Sequence, residues 1–226
     1  MNKALEVNNL KIEINGKAII KHADLILRSG SLTYFFGSNG SGKTTLVKAI
    51  LGLFPFTQGS VLINGKPNTQ ENIAQNISYL PQNPVIDRDF PITVGEMIDL
   101  ACSSHKHCPI TIDEHLKAFN ADTIKNKKLN ELSGGQLQKA LIARALIGDK
   151  PILILDEPFN HLDHTSEALL VELLKDLHEK EKRTILIITH DRSIVNENSD
   201  CVLLMHSHLH SGKAEEIINK HKLEII

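Results

Sequence analysis

Cysteine is scarce and unpaired in pattern: Cys102, Cys108 and Cys201 are odd in number and form no C-x-x-C motif. That argues against a disulfide framework and fits reduced thiols in a cytosolic protein. No apolar run is long enough to span a bilayer, and the opening residues Met1-Asn2-Lys3-Ala4-Leu5-Glu6 lack the apolar segment of a secretory signal. A role at a membrane would therefore run through a partner. Neither charge sign is in excess, since 25 Lys and Arg stand against 27 Asp and Glu, a formal net charge of -2, with no long basic block. Nucleic acid and anionic membrane have no electrostatic support as partners. Repeats and low-complexity stretches are missing too. What remains is a globular balance, 226 residues at 41% hydrophobic, enough for one domain or for one domain with an inserted subdomain.

The most informative stretch is Gly37-Ser38-Asn39-Gly40-Ser41-Gly42-Lys43-Thr44-Thr45, which fits the phosphate-cradling pattern G-x-x-x-x-G-K-S/T without a mismatch. Its glycines let backbone N–H groups approach phosphate oxygens that a Cβ would obstruct. Lys43 supplies a point charge for the β- and γ-phosphates and Thr44 a hydroxyl for Mg²⁺. Residues 45–51 continue as a helix whose positive end faces the anion. The context agrees, because residues 31–36 are an apolar, β-prone run that ends at Gly37.

Around this loop the chain reads as α/β. Residues 5–27 are short strands joined at Asn15-Gly16, a hairpin turn signal, and residues 59–65 form a further strand after Gly52 and Pro55 stop the first helix. Residues 77–82 are a strand that ends on Gln82. Helix-forming segments punctuated by Pro84, Pro91 and Pro109 follow to about residue 130, the pattern of an inserted helical subdomain. Leu132-Ser133-Gly134-Gly135-Gln136 precedes a helix over 137–147, with Ser133 and Gln136 spaced as a capping box. Two glycines at that helix start would also leave N–H groups open to an anion.

Residues 151–155 are continuously apolar, as in a parallel strand covered on both faces, and Asp156-Glu157 follow at once. Burying such charge costs several kcal/mol unless a cation or hydrogen bonds compensate. Mg²⁺ near Asp156 would do so, and Glu157 would be placed to accept a proton from water attacking the γ-phosphate. A helix over 166–180 leads to the apolar run 184–189, with His190 at its end. Gly37, Gln82, Asp156, Glu157 and His190 thus all lie just past carboxyl ends of apolar strands, where open α/β sheets bind ligands.

Together these residues resemble the ATP-binding subunit of an ABC transporter, over essentially the whole chain. The resemblance implies a P-loop NTPase (RecA-like) core, about 1–84 and 148–226, with an N-terminal antiparallel β subdomain and a helical subdomain at about 85–147. It implies ATP hydrolysis with Mg²⁺, the phosphates held by residues 37–45, and Thr44, Gln82 and Asp156 on the metal ion. Glu157 resembles the catalytic base and His190 the residue that contacts the γ-phosphate and positions the attacking water. Gln82 resembles the γ-phosphate sensor that touches the transmembrane partner. Ser133, Gly134, Gly135 and Gln136 would meet the ATP held by a second copy, and Asp163, in Asn160-His161-Leu162-Asp163, resembles the loop linking the two sites.

The implied setting is the cytoplasmic face of the inner membrane, with a permease, a twin subunit and an extracytoplasmic solute-binding protein in the full complex. The stretch Asp87-Arg88-Asp89-Phe90-Pro91-Ile92-Thr93-Val94 and the run Asp156-Glu157-Pro158-Phe159 resemble zinc- and manganese-type metal importers. The chain ends soon after Glu216, without room for the extra regulatory domain of some sugar-importer relatives. The alternative is a soluble ABC ATPase, such as one assisting iron–sulfur cluster assembly. Near Ile14, where the family usually stacks an aromatic ring on adenine, the side chain is aliphatic, so base stacking is weaker or supplied elsewhere. Among 12 histidines, His105-x-His107-Cys108 and His206-x-His208-x-His210 have ligand-like spacing, although a hairpin turn at His206-Ser207 would splay the second group.

Overall fold

The computed structural model describes residues 2–38, 40–84, 91–103, 112–147, 150–191, 199–205 and 208–220. Strands β1 (Lys3–Ile14) and β2 (Lys17–Arg28) form an antiparallel hairpin. Asn15 and Gly16 turn it with φ of 50° and 77°, the sense that matches the strands' own twist. Strand β3 (Leu32–Phe36) leads through the phosphate loop into helix α1 (Lys43–Ile50). Strand β4 (Gln58–Ile63) then returns to the free side of β1, and β5 (Lys66–Pro67) closes that edge, completing the antiparallel N-terminal sheet.

After α2 (Gln70–Asn76) come β6 (Ile77–Leu80), α3 (Val94–Ser103), α4 (Ile112–Lys117) and α5 (Gly134–Leu146). Strand β7 (Ile152–Asp156), α6 (His164–Glu179) and β8 (Thr184–Ile188) follow, then the hairpin β9 (Asp200–Met205) and β10 (His208–Lys213), and α7 (Ala214–Lys220). The strand order is β5-β4-β1-β2-β10-β9-β3-β8-β7-β6. Strands β9, β3, β8, β7 and β6 are mutually parallel, and β10 joins them to β2 through the pair His208 and His22.

Strands β7 and β8 are buried along their whole length, which explains their unbroken apolar runs. Alternate residues serve two cores. Leu153, Leu155, Ile185 and Ile187 face the helices, packing with Ile98, Phe119, Leu141, Leu170 and Leu174. Ile152, Ile154, Leu186 and Ile188 face the other way, with Leu46, Ile50 and the N-terminal sheet. Each such side chain contributes about 1.5–3 kcal/mol. The carboxyl ends of β3, β7 and β8 are thereby held in one plane, and everything at that edge inherits their rigidity.

Four elements differ from the sequence reading. Helix α2, with no buried residue, is held by polar caps: Thr69 Oγ1 accepts from the N–H of Asn72, and the Asn72 amide donates to the carbonyl of Pro67 at 2.9 Å. A seven-residue segment without an apolar stripe gives no periodic signal. Strand β5 and helix α7 are likewise too short to announce themselves. Helix α5 starts at Gly134 instead of residue 137, because the Ser133 cap admits both glycines to its first turn.

Candidate active site

The phosphate loop is built from backbone that side chains disfavour. Gly40 and Gly42 hold φ of 77° and 103°, a region in which a Cβ is strained. Gly42 is also the N-cap of α1, which has no side-chain cap and no acid in its first turn, so its opening N–H groups and dipole are left for an anion. Lys43 is 8% exposed, and its ammonium donates to the carbonyls of Gly37 at 2.6 Å and Ser38 at 3.1 Å. Burial pulls its pKa below the usual lysine range, with the charges of Glu157 and Asp156 opposing. The Ser41 hydroxyl is buried without a hydrogen-bond partner among the described residues, a polar atom fit for a phosphate oxygen. Asn39 lies outside the described residues.

Two carboxylates meet this loop from β7. Asp156 is 1% exposed and accepts a hydrogen bond from Thr44 Oγ1 at 3.1 Å. Burial pushes its pKa up; the Thr44 hydroxyl and the Lys43 and Lys48 charges pull it down, while Glu157 adds to the rise. Glu157, 6% exposed, has φ of 52°, and its N–H donates to the Ile188 carbonyl at 2.9 Å. This fixes a non-glycine residue in an unfavourable conformation, a form of strain that gathers at functional sites. Its carboxylate lies 2.9 and 3.0 Å from Nδ1 of His190, whose ring is 67% exposed.

Gln82, exposed two residues beyond β6, lines the same cavity of about 250 Å³ as Gly40, Lys43, Thr45, Asp156 and Glu157. Ile14 and Ile19 give it an aliphatic wall. The strand-end residues read from the sequence are thus brought together at one sheet edge, with His190 joined through Glu157.

The second glycine-bearing helix start sits apart from that cavity. Ser133 Oγ accepts from the Gln136 N–H at 3.3 Å, and Gln136 Oε1 accepts from the Ser133 N–H at 3.2 Å, so the capping box is complete. Ser133 and Gly134 are exposed, and a Cβ on Gly134 would meet nothing within 4 Å. Asp163 caps α6, accepting from the Ser166 N–H at 2.9 Å, and pairs with Lys139 at 3.3 Å. Ser166's two hydrogen bonds, backbone then side chain, hold its carboxyl down at about 2, with a smaller pull from Lys139.

Gln138 escaped the sequence reading. It is buried and donates from Nε2 to the Pro158 carbonyl at 3.0 Å. The available signal was a polar residue on the inward face of a well-capped helix.

Of the histidine clusters, His105, His107, Cys108 and His206 lie outside the described residues, as do residues 87–90 of the importer-like stretch. His208 sits opposite His22, and among the described residues no group of three or more His, Cys, Asp or Glu is arranged to hold a metal ion. No described helix is long and apolar enough to cross a membrane.

Comparison with known proteins converges on one family. The ABC transporter profile matches residues 20–160. The chain is similar to the manganese transport system ATP-binding protein MntB of Listeria monocytogenes, at 36% identity covering 97% of this chain and 94% of that protein. It is similar to the zinc transport system ATP-binding protein TroB of Treponema pallidum, at 33% identity covering 89% and 78%. A solved dimeric ABC transporter cassette superposes with a TM-score of 0.77 at 26% identity, covering 92% of this chain and 98% of that one.

Proposed function

This chain belongs to the ABC transporter family, and from that premise we propose that it is the ATP-hydrolysing motor subunit of an importer of divalent metal, manganese or zinc. The observation that carries the hydrolytic reading is the convergence of Lys43, Thr44, Asp156, Glu157 and His190 at one sheet edge. The metal reading is supported by the transport systems to which the two relatives belong. Those same names disfavour a stand-alone ATPase of the iron–sulfur assembly kind.

The loop amides of residues 37–45 and the Lys43 ammonium hold the triphosphate. The all-oxygen set of Thr44, Asp156 and Gln82 suits Mg²⁺, and a carboxylate this deeply buried calls for a cation. Bound there, Mg²⁺ would neutralise charge on the β- and γ-phosphates. Glu157 accepts the proton of the attacking water. His190, on both carboxylate oxygens, fixes the direction in which that base points.

Ser133, Gly134, Gly135 and Gln136 complete the ATP site of a second copy. The open space in front of Gly134 supports this, as does the dimeric state of the similar solved cassette. Hydrolysis then removes the charge that bridges the two copies and shifts the pair toward open. A permease subunit receives that motion at the cytoplasmic face of the membrane, with an extracytoplasmic solute-binding protein delivering the metal ion. Leu53 and Leu100, the most exposed large apolar side chains among the described residues, are candidates for the permease contact.

The test is Glu157→Gln. MgATP binding should be retained, while turnover falls by about 10²–10⁴, the scale of one general base. In liposomes holding the chain with its permease, uptake of Mn²⁺ or Zn²⁺ should stop with the variant. Wild-type hydrolysis by Glu157→Gln would sink the base assignment, and ATP-dependent uptake of neither ion would sink the cargo.

A further inference from the structure

The first turns of α5 are fastened to the loop after β7 at three points. A Cβ on Gly135 would stand 2.8 Å from the His161 carbonyl oxygen, so helix and loop backbones lie against each other there. Gln138, 8% exposed, donates to the Pro158 carbonyl at 3.0 Å. Lys139 reaches Asp163 at 3.3 Å. Positions 135, 138 and 139 follow i, i+3, i+4 spacing and share one helix face.

A buried primary amide at such a position is unfavourable unless it is bonded, and the bond here also serves the buried Pro158 carbonyl, which a leucine would leave without that donor. The loop it meets is the one that carries Glu157. Two of its residues, Glu157 and His161, hold positive φ of 52° and 66°. On one side the Glu157 N–H is bonded to β8. On the other, the Pro158 carbonyl is bonded to Gln138, and proline, lacking an N–H, has no other backbone polar group to offer. The peptide after the base is therefore gripped from the helix that begins at Ser133.

We propose that Gln138 is a positioning residue for hydrolysis: it ties the seating of Ser133–Gly135 on a phosphate to the orientation of the Glu157 carboxylate on the same chain. This rests on the reading that the start of α5 meets the triphosphate of a second copy. A copy whose α5 has engaged its twin then holds its own base in register, so the two sites fire together. A copy whose α5 is free keeps the Gln138 bond, but on a helix start that no phosphate holds in place.

The experiment measures MgATP affinity and steady-state hydrolysis for wild type, Gln138→Met and Gln138→Glu. Methionine keeps the length and removes the donor. Its MgATP Kd and KM should stay within about twofold of wild type while kcat falls about tenfold, the scale of one lost orienting hydrogen bond. Glutamate can donate to the Pro158 carbonyl only when protonated. Its kcat relative to wild type should therefore climb as pH is lowered from about 8 to about 6, a burial-raised carboxyl regaining its proton. This second variant keeps the proposal testable if the methionine chain does not fold. Wild-type kcat in both variants overturns it, as does a loss of kcat matched by an equal loss of affinity. Ser133→Arg, run alongside, separates the two failures. If that variant turns over normally, the trans-phosphate reading has fallen; if it is inactive while the Gln138 variants run at full rate, only the coupling has.

Discussion

Helices α1 and α5 both begin on glycine, but the ground around them is different. The start of α1 has no side-chain cap, a cation folded inside it in Lys43, and two carboxylates buried within its reach. The start of α5 is capped on both sides by Ser133 and Gln136, is exposed, and has its neighbouring Lys139 turned away to Asp163. Both present the positive end of a helix dipole, worth about 0.3–1 kcal/mol toward an anion in the open. Only α1 adds the charge and the desolvated surroundings that multiply that figure. The first helix start is thus an anion site complete in itself. The second, on the proposed reading, is shaped for an anion and lacks the means to hold one, so it would contribute only when another copy delivers the phosphate.

The comparison is sharpest at Lys43. Replacing it with alanine removes the charge that makes α1 self-sufficient, and MgATP affinity should fall on the order of 100-fold, with turnover falling further. Calorimetric titration with MgATP checks this. Retained affinity would mean that loop amides alone suffice and that the contrast with α5 is one of position, not of chemistry.

The two glycines of α5 give the next largest effect, and they should part company. Gly135→Ala drives a Cβ to 2.8 Å from a backbone oxygen that cannot easily yield, and should cost about 1–3 kcal/mol, several degrees of Tm. Gly134→Ala meets nothing within 4 Å and gains helix propensity, so the isolated chain should be unchanged or up to about 1 kcal/mol more stable. Yet on the proposed reading its Cβ would stand where the second copy's phosphate approaches, and turnover should fall about tenfold with nucleotide affinity intact. Equal behaviour of the two variants would erase the distinction between packing glycine and ligand-facing glycine.

How much of this could be read in advance follows from the range of each signal. The buried strands β7 and β8 advertise themselves through unbroken apolar runs, and the phosphate loop through a local motif, because in each case the physical demand falls on consecutive residues. The capping box of Ser133 and Gln136 is equally local. The strand ends could be predicted to converge from topology alone, yet the bond between Glu157 and His190, 33 residues apart, needed coordinates. Gln138 was illegible for a different reason: a glutamine in a helix reads as surface unless one knows which face is covered. Helix α2 hid because side-chain caps, not an apolar stripe, hold it.

Two aspartates carry the contrast down to its smallest effect. Asp156, beside α1, is pushed up by burial, whereas Asp163, tied to α5 through Lys139, is held down at about 2, chiefly by the N–H and hydroxyl of Ser166. Linkage gives these opposite signs. A raised carboxyl binds its proton more tightly in the folded chain, so stability attached to Asp156 is present at low pH and lost as pH rises through its folded pKa. A lowered carboxyl does the reverse: the contribution of Asp163 is present above the unfolded value of 3.8 and lost as pH falls toward about 2. Without nucleotide at neutral pH, Asp156→Asn should therefore raise Tm, by about 2–4 °C for about 1 kcal/mol of relieved burial, while disabling turnover. Asp163→Ala should lower Tm slightly at neutral pH, and the gap from wild type should close as the pH is taken below about 4. Melting curves for both variants across that range decide it. A gap at Asp163 that widens with acid would mean that its carboxylate is not the cap of α6, and the tether between the two helices would lose its outermost link.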